Sequence, residues 1–331
     1  MEEYKPPYTI TEKMLNLVSS ISTKLGRIEI YHNLDNKPHL RRNNRIKSVH
    51  SSLKIEANSL TIGQTKDVIN GRMVLGPEQE IQEVKNAYKA YEMIGKVNPY
   101  SLDDLKKVQG IMEYLLKDDA GRFRDGDEGV FNGDTCIFMA PPPQFVPSLM
   151  QDLFGWMSTN RKEVHPLIMG AIFHYEFVFI HPFSDGNGRT ARLWQTVILS
   201  HWEKAFTYLP IESMIKKNQD EYYSVIQKCN NAGNSTEFIE FMLKMIDNTI
   251  DETRKLEKIE YTPNLVFSEN ERKIIDCIKE NTVIGTKDII FKTQIADRTV
   301  RRILKKLVDN KVVEIVGNAE KAPNKKYKMA E

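Results

Sequence analysis

At 331 residues the chain exceeds the roughly 250–300 at which a single hydrophobic core stops growing, so a main domain with an appendage is expected. Lys and Arg number 47 against 45 Asp and Glu, a formal charge of +2, and hydrophobic residues make up 40% of the chain. These figures exclude collagen-like, wholly disordered and membrane-embedded proteins, and they leave no global field to attract a polyanion. The longest apolar stretch, Leu167 to Ile180, is interrupted by His174 and Glu176 and is shorter than the ~20 residues a bilayer requires. The first residues, MEEYKPPYTI, have no apolar h-region. The expectation is a cytoplasmic protein without a membrane partner. Cys136, Cys229 and Cys277 are odd in number and far apart, which fits neither a disulfide framework nor a zinc site. They are expected to be buried, inert thiols.

In chain order, residues 9–26 carry apolar residues at helical spacing, with Thr11 as N-cap and Gly26 as the stop. Further helices are predicted at Arg42–Asn58, from Pro77 through Lys96, and after the cap Ser101. In GVFNGDTCIFMAPPP, residues 129–143, the pair Asn132-Gly133 between β-prone residues predicts a hairpin that three prolines end. Helices follow at Val146–Thr159, Pro166–Phe179, Gly188–Glu203, Glu212–Cys229 and Thr236–Glu257. Residues 258–267 read as a linker. Beyond it, Ser268 caps a helix over 268–280, a short helix lies near 286–291, and Asp297 caps a helix over 298–309. Val312–Val316 and Lys326–Met329 flank the turn residues Gly317-Asn318. That order resembles a winged helix-turn-helix. Fifteen Lys and Arg against ten Asp and Glu give residues 268–331 a charge of +5, which leaves −3 for the rest.

The chemistry is concentrated in residues 181–192, His-Pro-Phe-Ser-Asp-Gly-Asn-Gly-Arg-Thr-Ala-Arg. The stretch is a loop feeding a helix. Gly186, Asn187 and Gly188 permit close backbone approach, and the unpaired amides of the next turn suit an anion. Arg189 and Arg192 are three apart and suit further phosphate oxygens. Asp185 is a hard oxygen ligand beside a phosphate site, as Mg²⁺ requires. His181 is placed as a general base. Any one of these has a bland reading as turn, solvated face or structural histidine. Eight specified positions together, at roughly 5% per residue type, coincide by chance on the order of once in tens of millions of such chains.

These residues match at every defined position the signature H-x-F-x-D/E-G-N-G-R-x-x-R, and the chain resembles Fic (filamentation induced by cAMP) domain proteins over roughly residues 40–247. The resemblance implies a mainly all-α fold, a helical core with one β-hairpin flap, to which a small C-terminal α+β winged-helix domain is added. It implies a protein adenylyltransferase that moves AMP from ATP, with Mg²⁺, to a Ser, Thr or Tyr hydroxyl of a target protein, which can be the chain itself, and releases pyrophosphate. Under it His181 deprotonates the hydroxyl, Asp185 holds the metal, Gly186, Asn187 and Gly188, with Thr190 and Ala191 behind them, form the nucleotide-binding turn, and Arg189 and Arg192 hold the β- and γ-phosphates. The flap, with Ile137, Phe138 and Met139, pairs with the target's backbone as an added strand. Asn218, Tyr222, Tyr223 and Asn230 resemble the family's adenine and ribose contacts. Tyr222 and Tyr223 cannot both face the same way, and a core position is the competing reading.

Ser51-Ser52-Leu-Lys-Ile-Glu56-Ala57-Asn58 resembles the family's inhibitory motif, [ST]-x-x-x-E-[GN], in the class whose inhibitory helix precedes the Fic core. Ser52 and Glu56 lie one helical turn apart, and Glu56 would pair with Arg192 and misplace ATP. Ala57, where Gly or Asn is usual, predicts a locally firmer helix. The implied partition is an N-terminal helical region at 1–95, a catalytic core at 96–257, the linker and the basic C-terminal domain at 268–331; a homodimer is a further expectation. Two alternatives stay open. The same site can run in reverse, with Glu56 orienting water to remove AMP, or the chain is a DNA-binding regulator that uses Arg298, Arg301, Arg302 and Lys305, with the Fic site as sensor.

Overall fold

The computed structural model describes residues 4–26, 38–132, 135–260, 268–281, 283–310, 312–316 and 325–330; of residues 39, 130–132, 135–137 and 254–260 only the backbone is described. The chain divides into two compact units, Met1–Arg254 and Lys255–Glu331.

The first unit is helical with one hairpin. Its helices are α1 (Glu12–Gly26), α2 (Pro38–Ile55), α3 (Ile62–Ile69), α4 (Glu78–Tyr91), α5 (Leu102–Met112), α6 (Val146–Asn160), α7 (Pro166–Ile180), α8 (Asn187–Trp202), α9 (Ile211–Lys217), α10 (Gln219–Ala232) and α11 (Thr236–Glu260). Between α5 and α6 lie β1 (Gly129–Asn132) and β2 (Thr135–Met139). α7 is apolar on every side and forms the centre of the core, buried at Leu167, Ile172, Phe173, Phe177 and their neighbours. α8 packs along it. Gly170 sets their spacing, because a Cβ there would lie 3.3 Å from the Gln195 side chain. Two polar residues of α7 take side-chain partners inside, although Glu176 Oε1 is left unpaired. His174 bonds Gln195 Oε1 at 2.5 Å and the Tyr222 hydroxyl at 2.9 Å, and burial lowers its pKa to about 3, so it stays neutral. Glu176 accepts from the Tyr4 hydroxyl at 3.0 Å. α1 lies on α11 through Thr11 and Lys13 to Glu240, and Lys24 to Asp247 and Asp251. The Thr11 hydroxyl caps α1 by accepting from Met14 N.

Several element ends differ from the sequence expectation. α2 stops at Ile55, so Glu56 and Ala57 form a turn, and Ala57 has φ 65°. Ala57 therefore does not stiffen a helix; it occupies the left-handed position for which Gly or Asn is suited. The helix expected over 212–229 is two, broken at Asn218 (φ −117°, ψ 35°), whose side chain donates to Met214 O. Asn132 is a strand residue paired with Thr135 rather than part of the turn; Gly133 lies outside the described residues. Helix α11 continues through residues 258–260 of the expected linker, and 261–267 lie outside the described residues. Cys229 and Cys277 are buried free thiols, and the Cys136 side chain lies outside the described residues.

The second unit contains α12 (Glu269–Lys279), β3 (Ile284–Gly285), α13 (Thr286–Thr293), α14 (Asp297–Asp309), β4 (Val313–Ile315) and β5 (Lys326–Met329), with the antiparallel sheet ordered β3-β5-β4. Ser268 and Glu271 form a capping box on α12. Ala296, not Asp297, is the N-cap of α14, and Asp297 instead pairs with Arg301 at 2.7 Å. Ile274, Ile278, Ile289, Val300, Leu304, Leu307 and Tyr327 form its separate core. The Gly317-Asn318 turn lies outside the described residues. No described helix is long and apolar enough to cross a membrane.

Candidate active site

Two helix ends build the site. His181 follows α7 as its C-cap in the left-handed region, φ 50° and ψ 59°, where a residue with a Cβ is strained. Its Nδ1 lies 3.3 Å from Val178 O. A carbonyl only accepts, so the ring proton sits on Nδ1 and the Nε2 lone pair is free for a proton. Burial lowers the imidazole pKa and keeps the base neutral.

The loop that follows is pinned from within. Phe183 is buried, with its ring 5.4 Å from that of Phe123. Asn187 accepts from Phe183 N at 3.0 Å and donates to Phe183 O at 2.7 Å, so its side chain holds the loop closed. Gly186 caps α8 at φ 75°, and a Cβ there would lie 2.2 Å from Glu113 Oε1. A Cβ on Gly188 would lie 2.4 Å from Glu56 Oε1. Each glycine therefore makes room for a carboxylate. Thr190 and Ala191 are fully buried and turn their side chains to the core.

Arg189 and Arg192 serve different partners. Arg189 lies 2.8 Å from Asp185 Oδ1, 3.3 Å from Glu113 and 3.9 Å from Glu83. Burial opposes the charge of Asp185, but Arg189, the Gly186 N–H and Lys117 outweigh it and lower its pKa. Asp185 Oδ2 is 3.5 Å from Lys117, and the main-chain oxygen of Asp185 accepts from Gln109 at 3.1 Å. Glu113 is the reverse case: burial, only partly offset by Arg189, raises its pKa to about 7. Arg192 donates to Glu56 Oε1 at 2.7 Å, to Ser52 O at 3.0 Å and to Ser52 Oγ at 3.1 Å. Burial works against the Arg192 charge, and Glu56 more than restores it. α2 packs on α9, and Tyr91 donates to buried Glu212 at 2.8 Å behind this contact.

The remaining candidates separate. Tyr222 is buried on His174, whereas Tyr223 is exposed and reaches Ile55 O at 3.4 Å, next to Glu56. Asn230 accepts from Tyr175. In the hairpin, Val130 pairs with Phe138 and Phe131 with Cys136, so Ile137 is a bulge; its side chain lies outside the described residues. Phe138 packs on Phe179 at 5.3 Å, and Met139 is exposed. In the other unit Arg298, Arg301, Arg302 and Lys305 are exposed on α14. Among the described residues no group of three or more His, Cys, Asp or Glu could hold a metal unaided.

The sequence reading missed Glu113, Glu83, Lys117 and Arg124. None belongs to a local motif, and each reaches the loop from a distant segment. Only the lone acidic residue at the end of a helix, Glu113, offered a signal, and it was indistinguishable from a solvated one.

The sequence pattern of the Fic/DOC family matches residues 99–199. A crystal structure of a Fic family protein from Desulfovibrio desulfuricans G20 is 35% identical, with a TM-score of 0.74 over 99% of this chain and 98% of that one. The chain belongs to the Fic family. Curated relatives named protein adenylyltransferase Fic include those of Nematostella vectensis, 27% identical over 61% of this chain, and Drosophila virilis, 28% identical over 69%. The chain spans about half of their length, 47% in each case. The Fic signature thus coincides with the loop between α7 and α8, and the Fic family match ends inside α8.

Proposed function

We propose that this Fic chain is an autoinhibited, Mg²⁺- and ATP-dependent protein adenylyltransferase. The observation that carries the reading is the shared end of α8: the Glu56 carboxylate lies on Gly188 and Arg192, where the positive end of a helix and a guanidinium suit a phosphate. His181 Nε2 takes the proton of the target hydroxyl, whose oxygen attacks the α-phosphorus of ATP while pyrophosphate leaves. Asp185 fits a divalent cation, being held ionised with a side chain 39% exposed and Oδ2 3.5 Å from the Lys117 amine. Bound there, Mg²⁺ would offset phosphate charge. Tyr223, exposed beside the end of α2, is the better placed of the two tyrosines for a nucleobase. The bulged flap supports an added strand from the target.

The test is AMP incorporation from labelled ATP, followed by intact mass. Glu56→Gly is expected to gain one AMP unit on a hydroxyl side chain, and His181→Ala in the same background to gain none. Release of AMP from a modified target that stops in Glu56→Gly would reverse the direction of the reaction.

The helix order and β3-β5-β4 sheet of the second unit support a winged-helix reading. Its basic α14 face supports DNA as a second partner of the chain.

A further inference from the structure

Arg124 is 4% exposed, and its guanidinium is spent on main-chain carbonyls. Nε donates to His181 O at 2.7 Å, Nη1 to Gly126 O at 2.7 Å, and Nη2 to Pro141 O at 2.5 Å and Ile180 O at 3.4 Å. The Arg124 N–H adds a bond to Pro182 O at 3.0 Å. Two of these acceptors, Ile180 and His181, are orphan carbonyls at the end of α7, where the helix dipole is negative and a cation is favoured. The other two acceptors of the guanidinium lie on either side of the hairpin: Gly126 precedes β1 and Pro141 follows β2, and Ala140 N bonds Glu128 O at 3.0 Å to close its base.

A single buried fork therefore holds both roots of the flap and the carbonyl of the general base. The His181 conformation adds force to this. A left-handed His is strained; its N–H is held by Phe177 O at 2.9 Å and its carbonyl by Arg124, so the guanidinium secures the side of the residue that the helix does not. We infer that Arg124 is a positioning residue that keys the flap to His181, fixing the distance between an acceptor hydroxyl laid on the flap and the Nε2 that takes its proton. The inference deepens the adenylyltransferase reading and rests on it for its consequence in turnover, while its structural content does not. Lysine cannot replace the fork, since one ammonium with three N–H donors does not serve four carbonyls reached from three guanidinium nitrogens.

The experiment uses the full chain carrying Glu56→Gly, alone and with Arg124→Lys or Arg124→Gln. Two measurements are made: amide hydrogen exchange over residues 126–141 and 177–185, and self-modification with ATP varied in the presence of Mg²⁺. The expected result for both substitutions is faster exchange in the two segments together, with α11 unchanged. The KM for ATP is unaltered, and the rate of AMP transfer falls about 100-fold, the effect of a displacement near 1 Å. Unchanged exchange in both segments, exchange that rises throughout the unit, or full transfer by Arg124→Lys overturns the inference. If the Glu56→Gly parent itself transfers no AMP, the functional reading fails, and the exchange measurement still decides whether Arg124 couples the two segments.

Discussion

Arg192 Nη2 lies 2.7 Å from Glu56 Oε1, from a guanidinium only 1% exposed to a carboxylate 37% exposed. The asymmetry matters because the arginine cannot regain water if its partner is removed, whereas the glutamate can. Glu56→Gly is therefore expected to raise AMP incorporation at least about tenfold, equivalent to 1.4 kcal/mol, while costing about 1–3 kcal/mol of stability for the unpaired guanidinium. Denaturant unfolding and labelled-ATP assays on one preparation check both signs. A variant that gains activity with no loss of stability would mean that Ser52 alone satisfies Arg192.

Ala57 has φ 65°, in the left-handed region. Ala57→Gly is expected to stabilise the protein by about 1 kcal/mol, the left-handed penalty of an L-residue less part of the larger unfolded-state entropy of glycine. Chemical denaturation at pH 7 measures it. A loss of stability would show that the turn after α2 needs its methyl group.

His181 is strained in the same way, with the difference that its side chain has a task. His181→Ala and His181→Gly are both expected to abolish AMP transfer, and the glycine variant to be the more stable by about 1 kcal/mol. Thermal unfolding of the pair reads this directly, because neither carries an imidazole.

Glu113 gives a pH dependence with a definite sign. Its pKa rises from the ordinary 4.5 to about 7 in the folded chain, mainly through burial. The unfolded chain gives up the proton first, so stability from this group is full below about 4.5 and is lost as pH rises to about 7. Glu113→Gln keeps the neutral form. It is expected to be more stable than the parent above pH 7, on the order of 3 kcal/mol, with the difference vanishing below about 4.5. Glu176, raised to about 7 by burial against its Tyr4 bond, titrates over the same window, and adding Glu176→Gln is expected to flatten the profile further. Unfolding midpoints between pH 4 and 8 decide the matter.

On α14, Arg298→Ala with Arg302→Ala is expected to weaken a DNA mobility shift by the full chain and to reduce its salt slope by about two. An unchanged slope would remove DNA as the partner of this face.

The legible part of the molecule was the part whose physics is local. Residues 181–192 specify a loop, a left-handed cap and a helix start within one segment, and α7 and α8 meet around it as their apolar patterns require. Asn187 shows the limit even there. Its amide is consumed by Phe183, which spacing cannot distinguish from a phosphate contact. Ala57 lies beyond the end of α2 at Ile55, where helix propensity no longer governs the backbone. Tyr222 and Tyr223 are neighbours on a helix, so one had to face the core, but the choice depends on His174 some fifty residues away. Glu113 and Arg124 were invisible because their meaning comes only from contacts across the fold.

The missing side chain of Gly188 leaves one seat at the end of α8, and Glu56 takes it. On the proposed reading the brake behaves as a tethered ligand competing with a free one. Its strength is then an effective concentration, set by how often the turn after Ile55 presents the carboxylate. Such a brake has no threshold: each tenfold change in that effective concentration is worth about 1.4 kcal/mol. Relatives with a looser or stiffer turn at position 57 would differ in the share of bound nucleotide that sits in the productive pose rather than in whether any does.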